Sequence, residues 1–260
     1  MPTPYHRVAE LRARPREPMG PREWRGRVLS LKAKRRAGRY RRHLVAHLDS
    51  VNIGKARPNP YESASSTGID KQPQDGPVWV RDPGPKTTGC GSGLVGDFVG
   101  DTKHHGGSDQ AAYAFSREDL DGWENRLDRQ LPNGFFGENL TIRELDVNSA
   151  RVGERWRVGD SLELIVTCPR IPCSTFRGWV GERQWLRIFT ATARPGTYLR
   201  VAAPGWIKAG DRIEVVHRPD HEVTVSLVFR ALTTAPALLP DLLLAGDDLI
   251  EELRHAAGAP

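Results

Sequence analysis

VGERWRVGDSLELIVTCPRIPC, residues 152–173, sets two unlike patterns side by side. Gly159-Asp160 reads as a tight turn. Leu162, Leu164 and Val166 then alternate with other residues across Ser161–Thr167, the period of a half-buried strand. Cys168-Pro169-Arg170-Ile171-Pro172-Cys173 follows. Its two prolines remove backbone donors and fix φ, so the segment is not expected to continue a sheet or to start a helix before its end. It is expected to open into a loop through Ser174-Thr175-Phe176. A thiol at the end of a rigid loop, close to an arginine, ionises more easily and binds a soft metal more readily. The plain alternative is a cysteine that serves as a small buried hydrophobe.

Outward from this stretch the same pattern recurs. Gly96-Asp97 and Gly210-Asp211 read as further tight turns, each feeding a strand, as over Arg212–Val216. His47–Ile53 and Val78–Val80 read as strands. Thr67–Lys71 and Asp75-Gly76-Pro77 carry turn chemistry, and Gly84–Gly93 is a glycine-rich loop. Many short strands in a chain with 26 glycines and 20 prolines point to a mainly β fold with some α, a barrel or a sandwich. One helix is clear. Ser116 caps it, Leu120, Trp123 and Leu127 fall at helical spacing, and Pro132 ends it. Thr224–Thr234 and Ala235–Ala257 read as short helices that form a C-terminal appendage.

The 260 residues suit one large domain or two modest ones. Three cysteines, at 90, 168 and 173, make no disulfide framework, so a reducing, cytoplasmic setting is expected. No apolar run approaches the ~18 residues of a membrane span, and the N-terminus has no secretory h-region. The net charge of +6 divides unevenly: residues 1–43 carry +11 and residues 44–260 carry −5. The basic balance therefore belongs to one arm and is no argument that the rest binds nucleic acid. Three readings of the arm stay open: a solvated tail that contacts RNA or phosphate, a transit peptide (disfavoured by Glu10, Glu17 and Glu23), and an extension from an upstream start codon. The expected division is 1–43 for the arm, 44–218 for a β domain and 219–260 for the helical segment.

Two further segments carry chemistry. Asp101-Thr102-Lys103-His104-His105-Gly106-Gly107 sets a lysine and two histidines before two glycines. If it is extended, at most one histidine faces a given pocket. The glycines allow a sharp bend or a close approach to a ligand. A solvated surface turn is the alternative. Phe135-Phe136-Gly137-Glu138-Asn139-Leu140 joins an apolar anchor to a polar pair, which as a β-bulge would only satisfy local backbone.

The order KHHGGxxxAxYAFxRE, GFFGENLT and VGERWRVGDSLELIVTCPRIPC resembles the MOSC domain, named for the C-terminus of molybdenum cofactor sulfurases, and within it the YiiM-like bacterial subgroup. The resemblance covers roughly residues 46–217, with the segment from His221 resembling that subgroup's helical tail. It implies a MOSC-type β-barrel that binds the pterin-based molybdenum cofactor. It further implies an oxidoreductase that reduces N-hydroxylated compounds such as hydroxylaminopurines. Across the wider family it also carries an association with pyridoxal phosphate. By position it implies Cys173 as the molybdenum ligand, with Arg170 and His105 completing the catalytic set. Thr67, Lys71, Lys103, Gly106, Gly107, Glu138 and Asn139 are implied at the cofactor. Cys168 stands where the family usually has glutamine, so an amide is lost and a second thiol is expected near Cys173.

The chemistry is coherent with that reading. A thiolate suits molybdenum, and Lys71, Lys103 and Arg170 suit a phosphate. Reducing an N–OH group takes two electrons and two protons and releases water, and a histidine is a natural proton source. No flavin, haem or iron–sulfur motif is present, so electrons are expected from a separate donor protein. Three other readings remain: a sulfur or cofactor carrier using Cys173, an RNA-associated protein using the arm, and a zinc site built from His104, His105, Cys168 and Cys173. The last lacks the usual ligand spacing.

Overall fold

The computed structural model describes residues 45–258, so residues 1–43, expected to form the basic arm, lie outside the described residues. The strands are β1 (His47–Gly54), β2 (Arg57–Pro58), β3 (Ser66–Thr67), β4 (Lys71–Pro73), β5 (Val78–Val80), β6 (Ala112–Ser116), β7 (Leu140–Arg143), β8 (Arg155–Val158), β9 (Leu162–Pro169), β10 (Thr197–Ala203), β11 (Gly205–Ile207) and β12 (Ile213–His217). The helices are α1 (Arg117–Leu127), α2 (Ser174–Val180), α3 (Trp185–Thr190), α4 (Val225–Thr233) and α5 (Glu251–Ala256).

β9 behaves as its alternation requires. Leu162, Leu164 and Val166 are fully buried in a core shared with Leu48, Leu140, Ile142 and Trp156. It pairs with β8 on one side and β10 on the other, at the centre of an eight-stranded sheet of order β12-β8-β9-β10-β6-β7-β1-β4. Contrary to expectation, the strand runs through Cys168 to Pro169, which faces Thr197 of β10. As the last residue of a strand, proline removes only one ladder donor. Most neighbours are antiparallel. β6 and β7 are parallel, and α1 makes the crossover that a parallel pair requires.

The sheet curls until its two sides touch. The Ile213 amide donates to the Ala46 carbonyl (2.7 Å) and the Leu48 amide to the Asp211 carbonyl (2.9 Å). Ladder pairing across this seam is a single bridge, His47 to Arg212. A curled, sheet-dominated fold with several helices is therefore observed, and a barrel closed by a continuous ladder is not. Gly96-Asp97 also departs from expectation, because no strand follows it. The Asp97 carboxylate instead accepts from the Gly54 amide (2.7 Å) and pairs with Lys71.

α1 begins at Ser116, whose hydroxyl accepts from the Asp119 amide. Trp123 on its inner face joins Phe136, Phe176, Trp185 and Phe189 in an aromatic cluster of mostly edge-to-face contacts, such as Phe136–Phe176 at 5.1 Å. Such pairs add about 0.5–1.5 kcal/mol each beyond area burial. They explain α2 and α3, which the sequence pattern did not announce: residues 174–176 are the first turn of a helix, not a loop. α4 is capped by Thr224, and where one helix was expected over Ala235–Ala257 a 3-10 stretch over Pro236–Asp248 is followed by the short α5. This segment packs through Val228, Leu242, Leu249 and Leu253 in a cluster that includes Cys168 of β9.

The turn before β7 rests on Glu138. Its buried carboxylate accepts from the amides of Gly134 (2.6 Å) and Phe136 (3.0 Å) and from the Thr141 hydroxyl (2.9 Å). Burial raises its pKa to about 7 against these donors. Gly134 has φ +87°, and a Cβ there would lie 2.4 Å from the Lys71 carbonyl oxygen, so the turn sits tightly on β4. Glu138→Ala leaves those donors without an acceptor at about 1–3 kcal/mol for each buried group. The expected result is a fall in Tm of several degrees or more; an unchanged Tm contradicts this role.

Candidate active site

Cys173 is the N-cap of α2, and Arg170 and Cys173 flank the Ile171-Pro172 step that leaves β9. Both face a cavity of about 110 Å³. Its wall also includes Thr67, Lys71, His105, Gly106 and Asn139, five positions that the fold gathers from separate segments into one place.

Arg170 is 5% exposed. Its guanidinium stacks on the Phe176 ring at 3.9 Å and reaches the Ile171 carbonyl at 3.3 Å. Among the described residues it has no carboxylate partner. The Cys173 thiol feels opposed influences. Burial raises its pKa. A hydrogen bond with His105, the charge of Arg170 and the Phe176 amide together outweigh burial and lower it to about 7. At neutral pH a large fraction is therefore thiolate, a soft ligand and a nucleophile.

His105 and His104 part company. His105 lines the cavity and bonds Cys173. His104 is tied through Nδ1 to Asp101 at 2.7 Å and does not line it. The segment is a turn rather than a strand, with the His105 amide donating to the Asp101 carbonyl (3.0 Å). Lys103 is exposed and away from the cavity. Gly107 does not line the cavity either. It has φ +80°, and a Cβ there would lie 2.7 Å from the Lys86 Cα. Gly106 has φ +79° and would put its Cβ 2.5 Å from the Gly91 carbonyl oxygen. These two glycines let the turn seat against the 84–91 loop and so position His105.

Lys71 lies on the cavity, yet its charge is matched. Its Nζ is 2.5 Å from Asp97 Oδ1, and Asn139 Nδ2 donates to Asp97 Oδ2 (2.9 Å). Asn139 also exchanges backbone hydrogen bonds with Tyr113 and Asn52, which joins β6 to β1. Glu138, one residue earlier, is spent beneath the cavity as described above. Cys168 packs toward α4 and does not line the site, so the second thiol expected beside Cys173 points elsewhere.

Several wall residues had no motif to mark them. Tyr198 is kept protonated because burial pushes its pKa well up. Glu62 accepts from the Thr175 hydroxyl, whose oxygen also receives Asn59 Nδ2 (3.0 Å). Gln110 lines the wall with its Oε1 buried and unpartnered among the described residues. Among those residues no group of three or more His, Cys, Asp or Glu is arranged to hold a metal ion, so a zinc site from His104, His105, Cys168 and Cys173 finds no donor set.

Residues 101–214 match the MOSC domain. The protein YiiM of Escherichia coli K12 is 31% identical over 178 residues, which span 67% of this chain and 75% of YiiM. This chain belongs to the MOSC domain family. A second relative of this chain, the uncharacterized protein YflK of Bacillus subtilis 168, is 29% identical over 182 residues, which span 70% of this chain and 78% of YflK. A protein named Reductase from Gibberella moniliformis is 27% identical over 202 residues, but only 34% of that longer protein is spanned. The crystal structure of YiiM from Geobacillus stearothermophilus superposes with a TM-score of 0.64 at 23% identity, over 82% of this chain and 97% of that one. At that identity the superposition speaks for the fold alone.

Alkylation of Cys173 should rise with pH with a midpoint near 7. Arg170→Met removes a charge that favours the thiolate, so the midpoint moves up. A midpoint that does not move would mean that Arg170 does not set the ionisation.

Proposed function

We propose that this chain binds the pterin-based molybdenum cofactor and reduces N-hydroxylated compounds. The observation that carries the reading is a thiol on a cavity wall, its pKa lowered to about 7, beside a buried arginine that has no carboxylate partner among the described residues. The residues fit the group. Cys173 offers one soft donor, and the absence of a wider donor set among the described residues suits a metal that arrives with its own sulfur ligands. Arg170 is the cation left to meet a phosphate or another anion, since Lys71 is already matched by Asp97. Membership of the MOSC family and the fungal relative named Reductase support the same direction.

When bound, the cofactor would supply the two electrons that break the N–O bond. The chain's own residues do the rest. Thr67, Gly106 and Asn139 shape the wall, and Asp97 keeps Lys71 from competing for the anion. His105 faces the cavity and supplies a proton to the departing oxygen; two protons are consumed and water leaves. The electrons come from a separate donor protein. A sulfur or cofactor carrier remains the second reading, because an ionised, partly exposed thiol also suits a persulfide.

Protein made in a host that synthesises the cofactor should carry stoichiometric molybdenum and pterin. A metal-free protein bearing a persulfide on Cys173 would favour the carrier instead. Cys173→Ser should abolish reduction of a hydroxylaminopurine and deplete molybdenum, while the exposed Cys90→Ser changes neither.

His105→Ala should lower turnover by about 100-fold, the scale of a lost general acid, with cofactor content largely kept. His104→Ala should change turnover little. Equal losses from the two variants would assign the pair a structural role.

A further inference from the structure

Gln110 closes the 3-10 turn Ser108–Gln110 that leads into β6, and it lines the same cavity as Arg170 and Cys173. It is 8% exposed, and its side-chain Oε1 is buried with no hydrogen-bond partner among the described residues. Its neighbours on the wall are spent: Asn139, Asp97, Lys71, Thr67 and Thr175 all make side-chain hydrogen bonds within the chain. The backbone that carries Gln110 is anchored from several sides. Its amide donates to the Gly107 carbonyl (2.9 Å), the Thr167 hydroxyl donates to the Asp109 carbonyl (2.6 Å), and Arg200 Nε donates to Asp109 Oδ1 (2.8 Å). The backbone at Gln110 is thus tied to the Gly107 turn directly and, through Asp109, to β9 and β10.

Leaving a buried amide oxygen unmatched costs stability, and such groups call for a specific reason. The natural one is a partner from outside the chain. An acceptor needs a donor, which an ionised phosphate lacks. We propose that Gln110 accepts a hydrogen bond from the N–H edge of an aminopyrimidine-type heterocycle bound in this cavity. The proposal rests on the cavity being the ligand site inferred above. Two sources carry that edge: the pyrimidine ring of a pterin cofactor and the purine ring of a hydroxylaminopurine substrate.

The test compares wild type with Gln110→Met, which keeps length and loses the acceptor. Each protein, purified from a cofactor-producing host, is assayed for bound pterin, titrated calorimetrically with 6-hydroxylaminopurine and melted. Losing one hydrogen bond should weaken binding by roughly five-fold. A fall in pterin content of that order, with Tm equal or higher, supports the proposal with the cofactor as source. Unchanged pterin with a purine Kd weakened to that extent supports it with the substrate as source. Both unchanged, or a loss accompanied by a marked drop in Tm, overturns it. Wild type without pterin refutes the molybdenum reading, yet the purine titration still judges Gln110. Wild type that holds neither pterin nor purine overturns both. If Gln110→Met does not fold, Gln110→Glu decides, because it keeps an acceptor: retained binding supports the proposal and lost binding overturns it.

Discussion

A guanidinium buried against an aromatic face, with no carboxylate among the described residues to neutralise it, is the constraint on which this site depends. Removing Arg170 from water costs several kcal/mol unless it is paired and fully hydrogen-bonded. Its stacking on Phe176 at 3.9 Å returns on the order of 2 kcal/mol when desolvated, and one carbonyl contact meets only part of its five N–H donors. In the function we propose, negative charge that enters the cavity meets the shortfall. The Cys173 thiolate is the first such charge: burial alone would raise the thiol's pKa, and the hydrogen bond with His105 together with the charge of Arg170 lowers it to about 7.

The fold exists in this region to hold that arrangement still. Pro169 and Pro172 stiffen the exit from β9, and Phe176 is locked into the aromatic cluster with Phe136, Trp185 and Phe189. The stacking plane under Arg170 is therefore set by residues far away in sequence. Across the cavity, Asp97 neutralises Lys71 and is itself fixed by Asn139 and the Gly54 amide. The two cations so differ in kind: Lys71 is paired within the scaffold, and Arg170 has no carboxylate partner among the described residues. Gly106 and Gly107 serve the same end by seating the His105 turn against the 84–91 loop.

Local physics made part of this legible. The alternation over Ser161–Thr167 and the cap at Ser116 with Leu120 and Trp123 specify β9 and α1 through their own neighbours, and both are observed. α2 and α3 were hidden because they are short and are stabilised by Trp123 and Phe136, some forty to sixty residues away. The motifs pointed to residues several of which the fold brings to one cavity, but not to the division of labour among them. Glu138 and Asn139 are adjacent, yet one is spent under the 134–137 turn and the other lines the cavity. Lys103 and His105 are two apart, and only the histidine turns inward. Asp97 read as a turn residue because its partner Lys71 lies in another segment. The orphaned oxygen of Gln110 had no sequence signal, since an unmet hydrogen bond is a property of the assembled wall.

The account's central claim is that Arg170 is kept charged and unpaired for a ligand, not for the fold. Arg170→Met fills similar volume without the charge, and the direct measurement is the melting temperature of the cofactor-free variant together with the molybdenum and pterin it retains when produced in a competent host. The account predicts a Tm equal to or above that of cofactor-free wild type, with cofactor content sharply reduced. A Tm that collapses while each folded molecule retains full cofactor would contradict it, and would make the guanidinium a part of the scaffold.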